Sequence, residues 1–140
     1  MSSYISTQLR RQVLAKAKGY CAYCRSHQTL MGVTFEIDHI IPEAAGGKTN
    51  LSNLCLSCPT CNRYKGARQT ATDPESGVVV NLFHPIDQDW GVHFTWNDDH
   101  SMVLGLTPIG RATVEALRIN RSGIIQLRQY WTALGLHPPS

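Results

Sequence analysis

The sequence predicts an α+β fold. A small core of two short strands and a helix is built around cysteine knuckles, with a helix before it and a C-terminal extension of a strand hairpin and two helices after it. Three observations predict this. The cysteines fall in spaced pairs, Cys21-x-x-Cys24 and Cys58-x-x-Cys61, on either side of a segment whose apolar positions Val33, Phe35 and Ile37 alternate with the period of a half-buried strand. Apolar residues at helical spacing stand near both ends of the chain. Between them the stretch RQTATDPESG is polar and rich in turn formers, which divides the chain at about residue 72 into a core, residues 1–72, and an extension, residues 73–140.

From about Thr7 to Lys18 the chain reads as an amphipathic helix. Thr7 stands at the cap position, Leu9, Val13 and Ala17 share one face, Arg10, Arg11, Lys16 and Lys18 dominate the rest, and Gly19 ends it. The first knuckle and a loop containing His27 follow. A strand from about Val33 to His39 leads to Pro42, and this proline with Gly46 and Gly47 makes an irregular loop. A return strand at about Leu54–Leu56 completes a small antiparallel hairpin, and a helix opens near Pro59, a favoured first-turn residue, and stops at about Gly66. In the extension, Val78–Phe83 reads as a strand, and Val92–Trp96 with Met102–Leu106 reads as a hairpin around Asn97, Asp98 and Asp99. Thr107-Pro108 is a cap followed by a first-turn proline and opens a helix to about Asn120. A last helix runs from about Gly123 to Leu134, with Ile124, Leu127, Trp131 and Leu134 on one face.

Composition narrows the function classes. With 42% hydrophobic and 16% charged residues the chain is globular rather than disordered. No apolar run approaches the length of a membrane span, and MSSYISTQLRR lacks the apolar region of a signal peptide. A cytoplasmic protein with no membrane partner is the expectation. Five cysteines, all but one of them in knuckles, suit a reducing compartment and a metal rather than a disulfide framework. The net charge of +3 conceals an asymmetry: residues 1–72 carry nine Lys or Arg against three acids, and residues 73–140 four Arg against seven acids. The basic half is the cysteine half, which points to a polyanionic partner, nucleic acid before others. In the extension Arg111, Arg118, Arg121 and Arg128 are the available basic residues.

The reactive side chains are gathered in EIDHIIPEAAGGKTNLSNLCLSCPTCNRYKG, from Glu36 to Gly66. Two knuckles separated by a long segment supply the ligands of a closed four-thiolate zinc site, two from each tight turn. Cys55-x-x-Cys58 is a competing second knuckle. Hydrolysis of a phosphodiester needs an activated water, shielding of the phosphate charge and stabilisation of the leaving alkoxide. Imidazole, with an unperturbed pKa of about 6.5, takes a proton from water near neutral pH, and a divalent cation answers the other two needs. Asp38 and Asn62 offer oxygen donors for such a cation. Adjacent strand residues point to opposite faces, so Asp38 and His39 share a site only if the chain leaves regular strand geometry there.

These residues resemble an HNH endonuclease, the ββα-metal nuclease family with treble-clef type knuckles, over roughly residues 9–68. The resemblance is carried by Cys21 and Cys24, DHIIP from Asp38 to Pro42, Gly46 and Gly47, Asn53 with Leu54, Cys58-x-x-Cys61-Asn62, and Lys65 with Gly66. It implies that His39 is the general base, that Asp38 is a ligand of a catalytic metal, and that Asn53 braces the loop between the strands and helps orient the base. Asn62 stands where the family often has His. An oxygen-only pair there implies Mg²⁺ or Mn²⁺, beside a structural Zn²⁺ on Cys21, Cys24, Cys58 and Cys61. The implied products are a 5′-phosphate and a 3′-hydroxyl. Asn50 is a rival for Asn53. Arg63 and Lys65 are phosphate-gripping or simply solvated helix residues, and Lys48, Arg10 and Arg11 are further contacts for nucleic acid, DNA being the expected substrate. The other reading is a zinc-stabilised nucleic-acid-binding module without catalysis, and a third is a protein-interaction zinc domain. Oligomeric state has no signature in the sequence.

Overall fold

In the computed structural model, which describes residues 4–139, the first helix is capped one residue earlier than expected. The hydroxyl of Ser6 accepts from Leu9 N at 3.1 Å, and helix α1 runs Thr7–Ala17. It ends where Lys18 turns left-handed, φ 55°, with its N–H on the Leu14 carbonyl. Val13 is buried, Leu9 and Ala17 half-buried, and Arg10, Arg11, Lys16 and Lys18 exposed, which is the predicted amphipathic division.

The first knuckle is pinned to the sheet by a hydrogen bond from Ala22 N to Leu56 O, 2.8 Å. Helix α2, Gln28–Met31, is a single turn within the predicted loop, capped by His27. Strand β1 is Glu36–His39 and strand β2 Leu54–Ser57, paired antiparallel from Glu36↔Ser57 to His39↔Leu54. β1 therefore starts three residues later than expected. Its partner turns away at Cys58, so Val33 to Phe35 meet no opposing strand. Between the strands, Glu43–Ala45 and Leu51–Asn53 form 3-10 turns. Helix α3, Pro59–Lys65, opens with its proline in the first turn, and Cys58 caps it by accepting from Cys61 N at 3.3 Å. α1 packs on β2 and α3 on β1, and Val13, Phe35, Ile40, Leu54 and Leu56 are buried there.

By its internal contacts the chain forms two units. The first ends at Gln69 and takes back His84–Gln88, and the second comprises Thr70–Phe83 and the residues from Asp89 onward. The second unit begins with a strand at Thr70, beside the boundary expected at about residue 72. β3, Thr70–Thr72, pairs with β4, Val79–Asn81. The polar residues between them are the hairpin turn itself, closed by Asp73 N to Val78 O and Gly77 N to Asp73 O, both 2.8 Å.

Helix α4, Trp90–His93, takes the place of the first residues of a predicted strand, leaving β5 as Phe94–Trp96, paired with β6, Val103–Gly105. Helix α5, Pro108–Ala116, has the predicted cap, Thr107 Oγ1 accepting from Gly110 N at 3.0 Å. It stops short of Asn120, with Arg118 at φ 50°. Helix α6 is Ser122–Ala133.

The buried face of α6 differs from the predicted one: Ile124, Arg128 and Trp131 are inside, whereas Leu127 and Leu134 are 37% and 72% exposed. Arg128 fits because carbonyls meet both terminal nitrogens of its guanidinium. It donates to Ser101 O at 3.0 Å and Ile119 O at 2.9 Å, and lies 5.3 Å from the Trp96 ring centre. Arg111 is likewise engaged, bidentate on Asp73 at 2.9 Å. These two arginines therefore do not join an exposed basic patch.

Candidate active site and thiol cluster

The sulfurs of Cys21, Cys24, Cys58 and Cys61 all lie within 4.8 Å of one another, and these residues are fully buried. Tetrahedral zinc with Zn–S of about 2.3 Å requires sulfurs about 3.8 Å apart, and Cys24 Sγ is 3.8 Å from Cys58 Sγ. Hydrogen bonding within the cluster, from Cys21 first, holds the Cys24 and Cys58 thiols below the ordinary range, while burial pushes Cys21 up. Among the described residues this is the metal-ligating cluster, and a four-thiol set of this geometry suits zinc. Cys55 points elsewhere. Its sulfur is 3.7 Å from Tyr23 Oη and 4.0 Å from Asp38 Oδ2, and burial with the nearby Asp38 charge pushes its thiol up to about 12.

Asp38 is buried at 6% exposure. Its Oδ2 accepts from Tyr23 Oη at 2.8 Å and from Lys65 Nζ at 3.1 Å, and Lys65 also reaches Oδ1 at 3.4 Å. Burial raises the Asp38 carboxyl above the usual range, against the pull of Lys65 and Tyr23. Lys65 was expected on the surface. It is 1% exposed, its ammonium shared between Asp38 and the His39 carbonyl, 3.1 Å away, because the end of α3 faces the sheet.

Residues two apart on a strand and three apart on a helix share a face. Glu36 and Asp38 on β1 therefore meet Asn62 and Lys65 on α3 as two successive pairs, and Asn62 Nδ2 donates to Glu36 Oε1 at 3.0 Å. Glu36, Pro59, Thr60, Asn62 and Arg63 line an open cleft. Hard oxygen donors thus lie along one seam, the donor chemistry a divalent cation takes. As arranged, however, Asp38 is bonded to Lys65 and Tyr23, and Asn62 to Glu36.

β1 pairs regularly through His39, and the chain bends only at Ile40. The expected departure from strand geometry between Asp38 and His39 does not occur, so their side chains leave by opposite faces. His39 is half-buried, its Nε2 2.9 Å from Thr49 Oγ1 and 3.8 Å from Glu43 Oε1. Asn53 clamps the loop that carries these partners: its Oδ1 accepts from Ile41 N at 2.8 Å, and its Nδ2 donates to Ile41 O at 3.0 Å and Lys48 O at 2.9 Å. A Cβ on Gly47 would fall onto the Ile41 carbonyl, which is why glycine stands there. Asn50 is exposed and bonds only locally, accepting from Ser52 at 2.6 Å.

Arg63, Lys48, Arg10 and Arg11 are exposed. Tyr23, Glu36, Glu43 and Thr49 are contacts the sequence reading did not single out. Glu36 was accessible from the strand period, two before Asp38, and Tyr23 from its place inside the first knuckle. Thr49 and Glu43 carry no such signal, since only loop closure brings them to His39.

Compared with known proteins, residues 21–68 match the family model described as HNH endonuclease. A curated relative, the CRISPR-associated endonuclease Cas9 of Corynebacterium diphtheriae, is 41% identical over 58 residues, which is 41% of this chain and 5% of that protein. The chain thus spans a small part of the relative's length. The resemblance drawn from the motifs holds for this segment.

Proposed function

We propose that the protein is a metal-dependent HNH endonuclease that hydrolyses phosphodiester bonds in nucleic acid, with DNA as substrate. The observation that carries this reading is His39, half-buried at the end of β1, with one ring nitrogen engaged by Thr49 of a loop that Asn53 clamps. In this reading His39 takes a proton from water as its oxygen bonds to phosphorus. The bond to the 3′-oxygen breaks, and that oxygen is protonated by solvent, leaving a 5′-phosphate and a 3′-hydroxyl. Asp38 and Asn62 would hold a divalent cation, Mg²⁺ or Mn²⁺, whose charge shields the phosphate and the leaving oxygen when bound. For such a cation to act where His39 does, Lys65 would have to yield Asp38, and β1 would have to give up the regular pairing at Asp38 and His39 that sends their side chains to opposite faces. Arg63, Lys48, Arg10 and Arg11 would contact the phosphate backbone, which makes binding fall with salt. Zinc on the four cysteines would hold the first knuckle to the start of α3. Thiolate ligands need a reducing compartment, in keeping with the cytoplasm.

The occupied state of Asp38 favours a second reading, a zinc-stabilised nucleic-acid-binding module without catalysis. Cleavage of supercoiled plasmid with Mg²⁺ or Mn²⁺, with EDTA and His39→Ala as controls, decides between them. Metal-dependent nicking that vanishes in His39→Ala supports the nuclease. Salt-sensitive binding with no cleavage of plasmid, branched DNA or RNA supports the module.

A further inference from the structure

We propose that Thr49 is the positioning residue for His39. Its hydroxyl oxygen accepts the Nε2 proton and so fixes the tautomer in which Nδ1 carries the lone pair. The inference rests on the reading of His39 as the base, and it names the group that makes one ring nitrogen basic and the other not.

The geometry is specific. Thr49 Oγ1 lies 2.9 Å from Nε2, and Glu43 Oε1 lies 3.8 Å from the same nitrogen. A hydroxyl can donate or accept, but an ionised carboxylate only accepts. Glu43 is beyond hydrogen-bond reach, but a carboxylate charge on that side favours a proton on Nε2, and the Thr49 hydroxyl then accepts it. The neutral imidazole then has its lone pair on Nδ1, the atom left to receive a proton from water.

Thr49 is held from both directions. Asn53 donates to the carbonyl of the preceding residue, Lys48, at 2.9 Å and grips Ile41 at the other end of the loop. Gly47 lets that loop lie against the Ile41 carbonyl. Threonine's branched side chain has few rotamers, so the hydroxyl is placed before the imidazole meets it. Asn53 therefore reaches the base through Lys48 and Thr49 rather than by touching it.

Long-range ¹H–¹⁵N correlation spectra of the labelled full chain, recorded with the imidazole neutral, read the tautomer without substrate or catalytic metal. The wild type and Thr49→Ser are expected to show His39 protonated on Nε2, and Thr49→Val a mixture of tautomers. In the cleavage assay Thr49→Val should lose about 10- to 100-fold, the effect of removing the partner that orients a metal-bound histidine, with most of it recovered in Thr49→Ser. A wild-type His39 protonated on Nδ1, or a Thr49→Val spectrum like the wild type's, overturns the inference even if the enzyme cuts. Cleavage that survives His39→Ala overturns the reading of His39 as the base instead and leaves the spectra as they are. Dispersed amide signals in Thr49→Val separate a shifted tautomer from a misfolded loop.

Discussion

Replacing Lys65 by methionine keeps the alkyl stem and removes the ammonium from Asp38. The two charges are 3.1 Å apart with side chains 2% and 6% exposed, which at an effective dielectric of 20 is an attraction of about 5 kcal/mol. Desolvation of both ions offsets most of that, so the intact pair is nearly neutral for stability. The single variant keeps the desolvation of Asp38 and loses its partner, at a cost of about 3–5 kcal/mol. The Tyr23 hydroxyl, 2.8 Å away, is the remaining support. Lys65→Met combined with Asp38→Asn removes the stranded charge and should recover much of the loss.

The assay is urea unfolding of the zinc-loaded protein followed by zinc release to a colorimetric chelator, which reports the first unit. Trp90, Trp96 and Trp131 all belong to the second, so their emission is an internal reference. The penalty depends on pH with a definite sign. Burial already lifts the Asp38 carboxyl while Lys65 pulls it down, so the variant lifts it further. A carboxyl raised in the folded state destabilises as pH climbs from its unfolded value of about 4 through the raised one. The difference between variant and wild type, in which the thiolate contribution cancels, should be smaller at about pH 5 than at about pH 8. A single-variant cost under about 1 kcal/mol, the range of an exposed pair, or a double variant less stable than the single, would mean that Lys65 does not compensate a buried Asp38 charge.

Protein purified under reducing conditions should carry equimolar zinc by atomic absorption. Cys61→Ser should lose it and Cys55→Ala retain it, because the Cys55 sulfur lies on Tyr23; loss in Cys55→Ala would restore the competing knuckle. Gly47→Ala drives a methyl into the Ile41 carbonyl and to 2.9 Å from Asn53 Nδ2, so thermal unfolding should show about 1–3 kcal/mol of destabilisation. Gly91→Ala, whose Cβ would meet nothing within 4 Å, should avoid that steric cost. In the second unit, Arg111 holds the Asp73 carboxyl well below the usual carboxylate range. Its stabilisation is present above about pH 4 and lost as pH falls through the depressed value. Tryptophan-monitored unfolding should therefore weaken on acidification in the wild type, and less so in Asp73→Asn.

The knuckle spacing, the Asp38-His39 pair, Pro59 and Pro108 at helix starts and Gly19 after α1 were legible in sequence because each is a short-range signal. Their geometry is complete within a turn or two of chain, so residue type and spacing suffice to state it. The same holds for the basic face of α1, where period alone separates Val13 from Arg10 and Arg11. Short-range signals misled where a pairing partner set the limit: β1 begins only at Glu36, opposite Ser57, and the turn formers at the division belong to the β3–β4 hairpin.

From the sequence, then, came the paired cysteines, the order of the core elements and the prolines that open α3 and α5. Only the tertiary structure decided what those residues touch. Lys65 and Arg128 look like surface residues until Asp38 and the His39 carbonyl, or Ser101 and Ile119, surround their charges. Thr49 is an ordinary loop residue until Asn53 closes the loop against Ile41. A long polar side chain is stable wherever its charge finds partners, and those partners lie far along the chain, where the spacing of neighbours carries no record of them.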